Sequence, residues 1–290
     1  MTGFVDRWFT SKDGLKLYAR DYAGAEGPAR LPVIAIHGLT RNSADFEDVS
    51  PVIAATGRRV LALDVRGRGR SAWDPNPMQY HPLTYAGDVE ALFAQAGLDR
   101  AVFLGTSMGG IITMTLAQTA PKRIAAAMIN DVGPQVSPIG LGRIAAYVGK
   151  GAPVTSWPDA AAYVKRNNEV AFPTYTDADW DAFARRCFRE GEDGVPVLNY
   201  DPDINAPIRA AGPKALTPNL WPIFRKLAKG RPLMLIRGGA SDLLDADIAK
   251  KMRKAAPDMT YVEVPEIGHA PMLTEPQAKS AILQFLSQVP

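Results

Sequence analysis

Cysteine is nearly absent from this chain: Cys187 is the only one in 290 residues, so no internal disulfide framework can hold it together. It falls in Phe183-Ala-Arg-Arg-Cys-Phe188, a helical pattern in which a single thiol reads as a small buried filler. Histidine is scarce too, with only His37, His81 and His269. Three imidazoles and one thiol leave no plausible zinc cluster. No G-x-x-x-x-G-K-[ST] run exists for nucleotide phosphates, so neither a metal nor an organic cofactor is expected. Apolar runs stay well short of the roughly 18 residues that a membrane span needs. The start, Met-Thr-Gly-Phe-Val-Asp-Arg-Trp, brings charge within six residues and has no apolar stretch of the kind that a signal peptide carries. A cytoplasmic protein without a membrane partner is therefore expected. Net charge is small as well, +3 from 33 basic and 30 acidic residues, which argues against nucleic acid as a partner. Two basic clusters, 66–70 and 250–254, are short and have acidic neighbours; the second reads as a solvated helix face.

What is present is a rhythm. The length suits one large α/β domain with an insertion. Leu15 to Tyr22 alternates like an edge strand. Short buried strands are predicted at Val33–Ile36, Val60–Leu63, Ala101–Leu104 and Ala125–Ile129. Helical patterns lie between them near 46–57, 85–97 and 107–120, an order that implies βαβ units and a mostly parallel sheet. From Gly133 to about Gly230 prolines and scattered aromatics replace that rhythm, and short helices without further strands are expected there. The βα pattern then returns, with strands at Leu233–Ile236 and Tyr261–Val264 and helices near 245–256 and 276–288.

Ligands in an open parallel sheet sit beyond the carboxyl ends of the strands. The polar residues at those ends are His37, Asp64, Ser107, Asp131, Asp242 and His269. Ser107 lies in Gly105-Thr-Ser-Met-Gly109, directly after a strand and before a helix, where flanking glycines relieve a sharp turn and the hydroxyl is lifted out of the sheet. A serine hydroxyl is a poor nucleophile without a base. His269, behind Gly268 and just after the last strand, is the histidine best placed to serve; His81, in Tyr80-His-Pro-Leu, reads as a polar loop residue. The base needs a carboxylate to orient it. Asp242, after the penultimate strand, and Asp131, after the fourth buried strand, compete for that role; for Asp131 the plainer reading is a turn residue bonding backbone amides.

The order Ser107, Asp242, His269, with an insertion before Asp242, resembles the α/β-hydrolase family over essentially the whole chain. His37-Gly38 after a strand, the D-x-R-G-x-G-x-S stretch from Asp64 to Ser71, Gly105–Gly110 at the serine turn and Gly268-His269 with Pro271 all match motifs of that family. The resemblance implies a mostly parallel eight-stranded sheet flanked by helices. It implies a hydrolase core over 1–133 and 230–290 with a helical cap over 134–229. It assigns Ser107, Asp242 and His269 as the catalytic triad and the backbone N–H groups of Leu39 and Met108 as the oxyanion hole. His37 goes to the oxyanion loop, and Arg66 is expected to pair with a carboxylate in a structural turn. Families of this fold with an aspartate nucleophile, the haloalkane dehalogenases and epoxide hydrolases, do not match at Ser107.

The same resemblance implies a small-molecule substrate: a small to medium, fairly apolar carboxylic ester or lactone. His37, Gly38, Tyr147, Trp157, Phe172 and Trp221 are the residues expected to contact it, with Tyr175 and Trp180 as further aromatics of the insertion. Alternatives are a C–C hydrolase of aromatic ring-fission products, which the Leu39-Thr-Arg-Asn-Ser43 loop disfavours, a cofactor-free perhydrolase, and a ligand-binding member of the fold without catalysis. Monomer and homodimer are equally compatible with the sequence.

Overall fold

The structure, a computed structural model, describes residues 3–151, 153–211 and 219–289. Its strands in chain order are β1 (Val5–Thr10), β2 (Lys16–Tyr22), β3 (Val33–Ile36), β4 (Val60–Asp64), β5 (Ala101–Thr106), β6 (Ile124–Asn130), β7 (Phe188–Glu190), β8 (Pro196–Leu198), β9 (Leu233–Gly238) and β10 (Thr260–Val264). Eight of them form one sheet in the order β1-β2-β4-β3-β5-β6-β9-β10. Pairing is antiparallel from β1 to β2 and from β2 to β4, and parallel across the rest. The central strands read as unbroken apolar runs because both faces are covered. Along β3, Ile34 and Ile36 point into one core while Val33 and Ala35 point into the other; along β5, Phe103 and Leu104 divide in the same way.

The helices are α1 (Val49–Ala54), α2 (Pro82–Ala96), α3 (Met108–Thr119), α4 (Pro138–Tyr147), α5 (Trp157–Asn168), α6 (Asp177–Cys187), α7 (Ala206–Ala211), α8 (Trp221–Ala228), α9 (Ala246–Ala255) and α10 (Pro276–Ser287). None of the described helices is long and apolar enough to cross a membrane. Local chemistry sets their ends. His81 caps α2 by accepting the Leu83 N–H at 3.2 Å, Pro82 follows at a position where a missing N–H costs nothing, and Gly97 closes the helix in the left-handed region at φ 66°. Thr176 and Asp179 form a reciprocal capping box on α6.

The stretch between β6 and β9 is mostly helical, with one addition to the expected pattern: β7 and β8 pair as a short antiparallel hairpin. Helix α8 packs against α3, and its Phe224 and Leu227 are fully buried in the core that α2, α3 and α9 share. Truncating a fully buried leucine removes transfer energy and leaves a cavity. Leu227→Ala should accordingly lower unfolding stability by about 2–5 kcal/mol, read from denaturant titration; a loss under about 0.5 kcal/mol, typical of surface positions, would place α8 outside the core.

Candidate active site

Ser107 sits at φ 52°, ψ −113°, between the end of β5 and the first turn of α3. A non-glycine residue at positive φ is uncommon and strained, and its surroundings leave no alternative. A Cβ on Gly105 would lie 2.5 Å from the Gly109 carbonyl, and one on Gly109 would lie 2.0 Å from the carbonyl oxygen of Ile36. A Cβ on Gly110 would meet Val132 at 2.5 Å, so this glycine brings α3 close to the sheet. Ser107 is tied to the neighbouring strand end, its N–H donating to Asn130 O at 2.9 Å.

His269 lies in the loop after β10, and its Nε2 stands 2.8 Å from Ser107 Oγ. The other ring nitrogen, Nδ1, stands 2.8 Å from Oδ2 of Asp131. With the Nδ1 proton donated to the carboxylate, Nε2 is left to accept the serine hydroxyl hydrogen. Asp131 is fully buried and, like Ser107, holds a positive φ, 55°, at the end of its strand. Its Oδ1 accepts the Gly238 N–H at 3.0 Å, and its own N–H donates to Ile236 O at 2.8 Å. Both carboxylate oxygens are thus committed, one to β9 and one to the histidine.

The structure corrects the expectation for Asp242. Its carboxylate is held by Arg143 of α4, Nε to Oδ2 at 2.6 Å and Nη2 to Oδ1 at 2.9 Å. That guanidinium is the main reason the Asp242 pKa lies below the ordinary value. Asp242 remains close enough for His269 to add to that lowering, but its hydrogen bonds tie the loop after β9 to α4, and the imidazole nitrogen bonds to Asp131 instead. The signal for Asp131 was its position directly after a strand, where aspartate tolerates the left-handed region.

The loop from His37 to Arg41 runs beside the serine: a Cβ on Gly38 would lie 3.7 Å from that of Ser107. Among the described residues, the N–H groups of Leu39 and Met108 have no hydrogen-bond acceptor. His37 is fully buried and holds this loop from below, Nδ1 against Gly38 O at 2.7 Å and Nε2 accepting the Val65 N–H at 3.0 Å. It does not reach the cavity, so its expected substrate contact is withdrawn. Burial pushes its pKa down to about 4, which keeps it neutral.

The Asp64–Ser71 stretch is a structural turn. Asp64 accepts the N–H groups of Ser43 at 2.6 Å and Arg70 at 2.8 Å. Gly69, at φ 56°, is required because a Cβ there would lie 2.1 Å from Asp64 Oδ2. Arg66 meets three carboxylates, those of Asp13, Asp74 and Asp88, as the sequence led one to expect.

A cavity of about 110 Å³ opens over Ser107 and His269. Gly38, Leu39, Tyr147 and Phe172 line it; Trp157 and Trp221 do not. The Arg185 guanidinium lies 3.6 Å from the Trp157 ring centroid, and Trp221 packs edge-on against Phe224. Tyr175 and Trp180 also stay out of the cavity wall, stacked with Phe172 and Phe183 in the aromatic interior of the insertion at centroid distances of 4.6–6.5 Å. Residues not anticipated also line the cavity: Arg41, Tyr163, Asn167, Asn168 and Tyr200. Arg41 is paired with Asp45 at 2.5 Å and also touches Cys187. Burial raises the Cys187 thiol to about 11, consistent with packing and not with nucleophilic chemistry.

A family model described as alpha/beta hydrolase fold matches residues 32–276. The 3-hydroxybutyrate-oligomer hydrolase of Cupriavidus necator is 32% identical over 98% of this chain and 97% of its own length. The 2-(acetamidomethylene)succinate hydrolase of Mesorhizobium japonicum is 25% identical over 82% of this chain and 81% of its own. The crystal structure of an alpha/beta hydrolase from Novosphingobium aromaticivorans superposes with a TM-score of 0.91 at 43% identity, covering 100% of both chains.

Two measurements bear on this geometry. Asp131→Asn should lower kcat/KM by about three to four orders of magnitude, as loss of the orienting carboxylate does in serine triads, whereas Asp242→Asn should stay within about tenfold of the parent; the reverse ranking would return the role to Asp242. The second concerns His37. An unfolded imidazole protonates near 6.5, so as pH falls from about 6.5 towards 4 the unfolded state takes up a proton that the folded state refuses. The stability linked to His37 is complete above that window and is lost through it. Melting temperature should therefore fall more steeply between pH 6.5 and 4 in the parent than in His37→Gln.

Proposed function

The chain belongs to the α/β-hydrolase family, and from that premise we propose that it is a serine carboxylic-ester hydrolase working through an acyl-enzyme on Ser107. The observation that carries the reading is the hydrogen-bonded line Asp131–His269–Ser107, buried at its aspartate end and open to the cavity at its serine end. Ser107 Oγ attacks the ester carbonyl carbon while its proton passes to His269 Nε2. Asp131 holds the imidazole in the required tautomer and stabilises the imidazolium. The carbonyl oxygen becomes an oxyanion facing the N–H groups of Leu39 and Met108. Each such donor is worth about 2.7–4 kcal/mol of transition-state stabilisation. Collapse of the intermediate expels the alcohol, which takes the proton from His269; water then repeats the sequence on the acyl-enzyme.

Cavity size supports a short acyl group. An engineered apolar cavity of about 150 Å³ accepts benzene, and the space over Ser107 is about 110 Å³. Its wall mixes Ile144, Phe172, Met272 and Leu273 with the phenols and amides of Tyr147, Tyr163, Asn167 and Asn168. Such a wall suits an aliphatic acyl chain carrying a hydroxyl or a second ester oxygen. The relative named as a 3-hydroxybutyrate-oligomer hydrolase supports short hydroxyacyl esters and their oligomers as the substrates of this chain.

Hydrolysis of p-nitrophenyl butyrate should fall by at least about a thousandfold in Ser107→Ala, and a fluorophosphonate probe should label the parent at Ser107 and leave the variant unlabelled. Retained turnover in the variant would remove the nucleophile assignment. Across a chain-length series the four-carbon ester should outpace the dodecanoate, and a 3-hydroxybutyrate dimer should be cleaved to monomer.

A further inference from the structure

Two arginines two residues apart are buried side by side in the turn after β4, and they are treated in opposite ways. Arg66 is surrounded by Asp13, Asp74 and Asp88 at 2.5–2.7 Å. Arg68, with no exposed surface, has no ion pair to any carboxylate among the described residues. A buried cation left without a counter-charge is costly; its partners here are all neutral. Nε–H donates to Leu39 O at 2.9 Å, Nη1 donates to Arg66 O at 2.8 Å and to Tyr85 Oη at 2.9 Å, and Nη2 lies 3.6 Å from Met108 Sδ. The faces of Tyr80 and Tyr85 lie 5.5 and 5.2 Å from the guanidinium carbon.

Two of those partners, Leu39 and Met108, are the residues whose N–H groups lack acceptors beside Ser107. One side chain therefore grips both halves of the oxyanion site. From this geometry we infer that Arg68 is a positioning residue for catalysis: it holds the Leu39 loop and the Met108 turn in register and places a guanidinium with no ion pair of its own behind the two N–H donors, where negative charge develops in the transition state. The inference rests on the serine-hydrolase reading above. A fixed charge that is itself fully buried, as the Arg68 guanidinium is, acts more strongly on a developing oxyanion than it would in water.

The backbone around Arg68 is fixed from the opposite side by the inserted layer. Gly69 N–H donates to Asn199 O at 2.9 Å and Asp201 N–H donates to Gly67 O at 2.8 Å, flanking a bridge between Arg68 and Tyr200. Tyr80 adds a 2.5 Å hydrogen bond to Asp201. The Arg68 backbone is thus held by the inserted layer, while its guanidinium is bonded to the Leu39 loop.

The test compares Arg68→Met, which removes the charge and the fork, with Arg68→Lys, which keeps the charge and loses the fork. Four constants are read for each: kcat and KM for p-nitrophenyl butyrate, Ki for a short-chain trifluoromethyl ketone, and Ki for butyramide. The ketone carbon takes the Ser107 oxygen, the proton goes to His269, and the ketone oxygen becomes the oxyanion, so its Ki reports the charged tetrahedral state. Butyramide reports ground-state binding. Arg68→Met should lower kcat/KM by about 10- to 100-fold, less than the roughly 100- to 1,000-fold cost of removing a direct donor. The loss should fall in kcat, ketone affinity should drop in proportion, and butyramide affinity should stay within about threefold. Arg68→Lys should recover part of both losses together. A kcat/KM within threefold of the parent would overturn the inference, as would a loss that leaves ketone affinity intact, because a merely structural role does not single out the oxyanion. If Arg68→Met does not fold, judged by near-ultraviolet circular dichroism, the paired loss in Arg68→Lys decides. Fluorophosphonate labelling of the parent separates the two readings: no label at Ser107 removes the hydrolase mechanism itself, whereas labelled parent with unaffected Arg68 variants removes only the role of Arg68.

Discussion

Two left-handed residues at the carboxyl ends of neighbouring strands are the constraint on which the site depends. Ser107 ends β5 and Asp131 ends β6, both at positive φ, and the strands are paired in register through Thr106 and Asn130. Each such residue costs of order 1–3 kcal/mol and persists only where its surroundings over-determine it. Around Ser107 the determination comes from glycines too close to their neighbours to carry a side chain, and around Asp131 from hydrogen bonds to two residues of β9. Strands lie about 4.8 Å apart, so Ser107 and Asp131 leave the sheet side by side, and His269 stands 2.8 Å from the hydroxyl of one and 2.8 Å from the carboxylate of the other. A single imidazole is the right size to bridge them. The loop after β10 has only to reach back over β9 to deliver His269, and Asn130 helps to fix it by donating to Pro271 O at 2.8 Å.

The layer over the site is joined to the rest by apolar and polar contacts together. Ala160, Val164, Phe172 and Phe183 belong to one buried apolar cluster with Val33, Val102 and Met234 of the sheet. Polar contacts accompany them: Arg143 with Asp242, Arg186 with Glu47 and Asp48, Asn42 with Arg186 O, and Gly268 N–H with Ala171 O. Part-exposed ion pairs of this kind contribute about 0–1 kcal/mol each, less than the burial of a side chain such as Phe172. The layer also fits closely where it meets the loop after β10. Gly268 illustrates the fit, since a Cβ there would lie 2.6 Å from the Cα of Ala171. The histidine loop is shaped by the cap as well as by the sheet.

Much of this arrangement could be read from the residues. The apolar runs marked the central strands because burial on both faces leaves no room for polar residues, and Gly105, Gly109 and Gly268 pointed to tight places that proved tight. What could not be read was anything set by the partner of a long side chain. Trp157 and Trp221 have the size and apolarity of pocket residues, but Arg185 and Phe224 take up their surfaces, and neither pairing has a signature at the level of spacing. The mostly apolar cavity wall also includes Tyr163, Asn167, Asn168 and Tyr200, whose place in it no spacing in the sequence announces. Strand β1 and the β7–β8 hairpin were illegible for the reason that edges are: their burial is partial, so their residues alternate weakly.

The pair of candidate carboxylates shows most plainly where sequence reasoning stops. Asp131 and Asp242 both follow strands and both lie near His269, and motif order favours the second. What separates them is a residue 99 positions from Asp242 in the chain, Arg143. Its fork takes both oxygens of Asp242, and a carboxylate so occupied has little left to offer an imidazole. Among the described residues Asp131 has no such cation; one of its oxygens accepts the Gly238 N–H and the other faces His269 Nδ1. In the mechanism proposed above, the negative charge that an imidazolium needs beside it comes from this aspartate. Arg68, bonded to Leu39 O and 3.6 Å from Met108 Sδ, has no ion pair to a carboxylate among the described residues. Charge in this site is arranged by withholding partners as much as by providing them, and a pattern of withheld partners is visible only once the chain is folded.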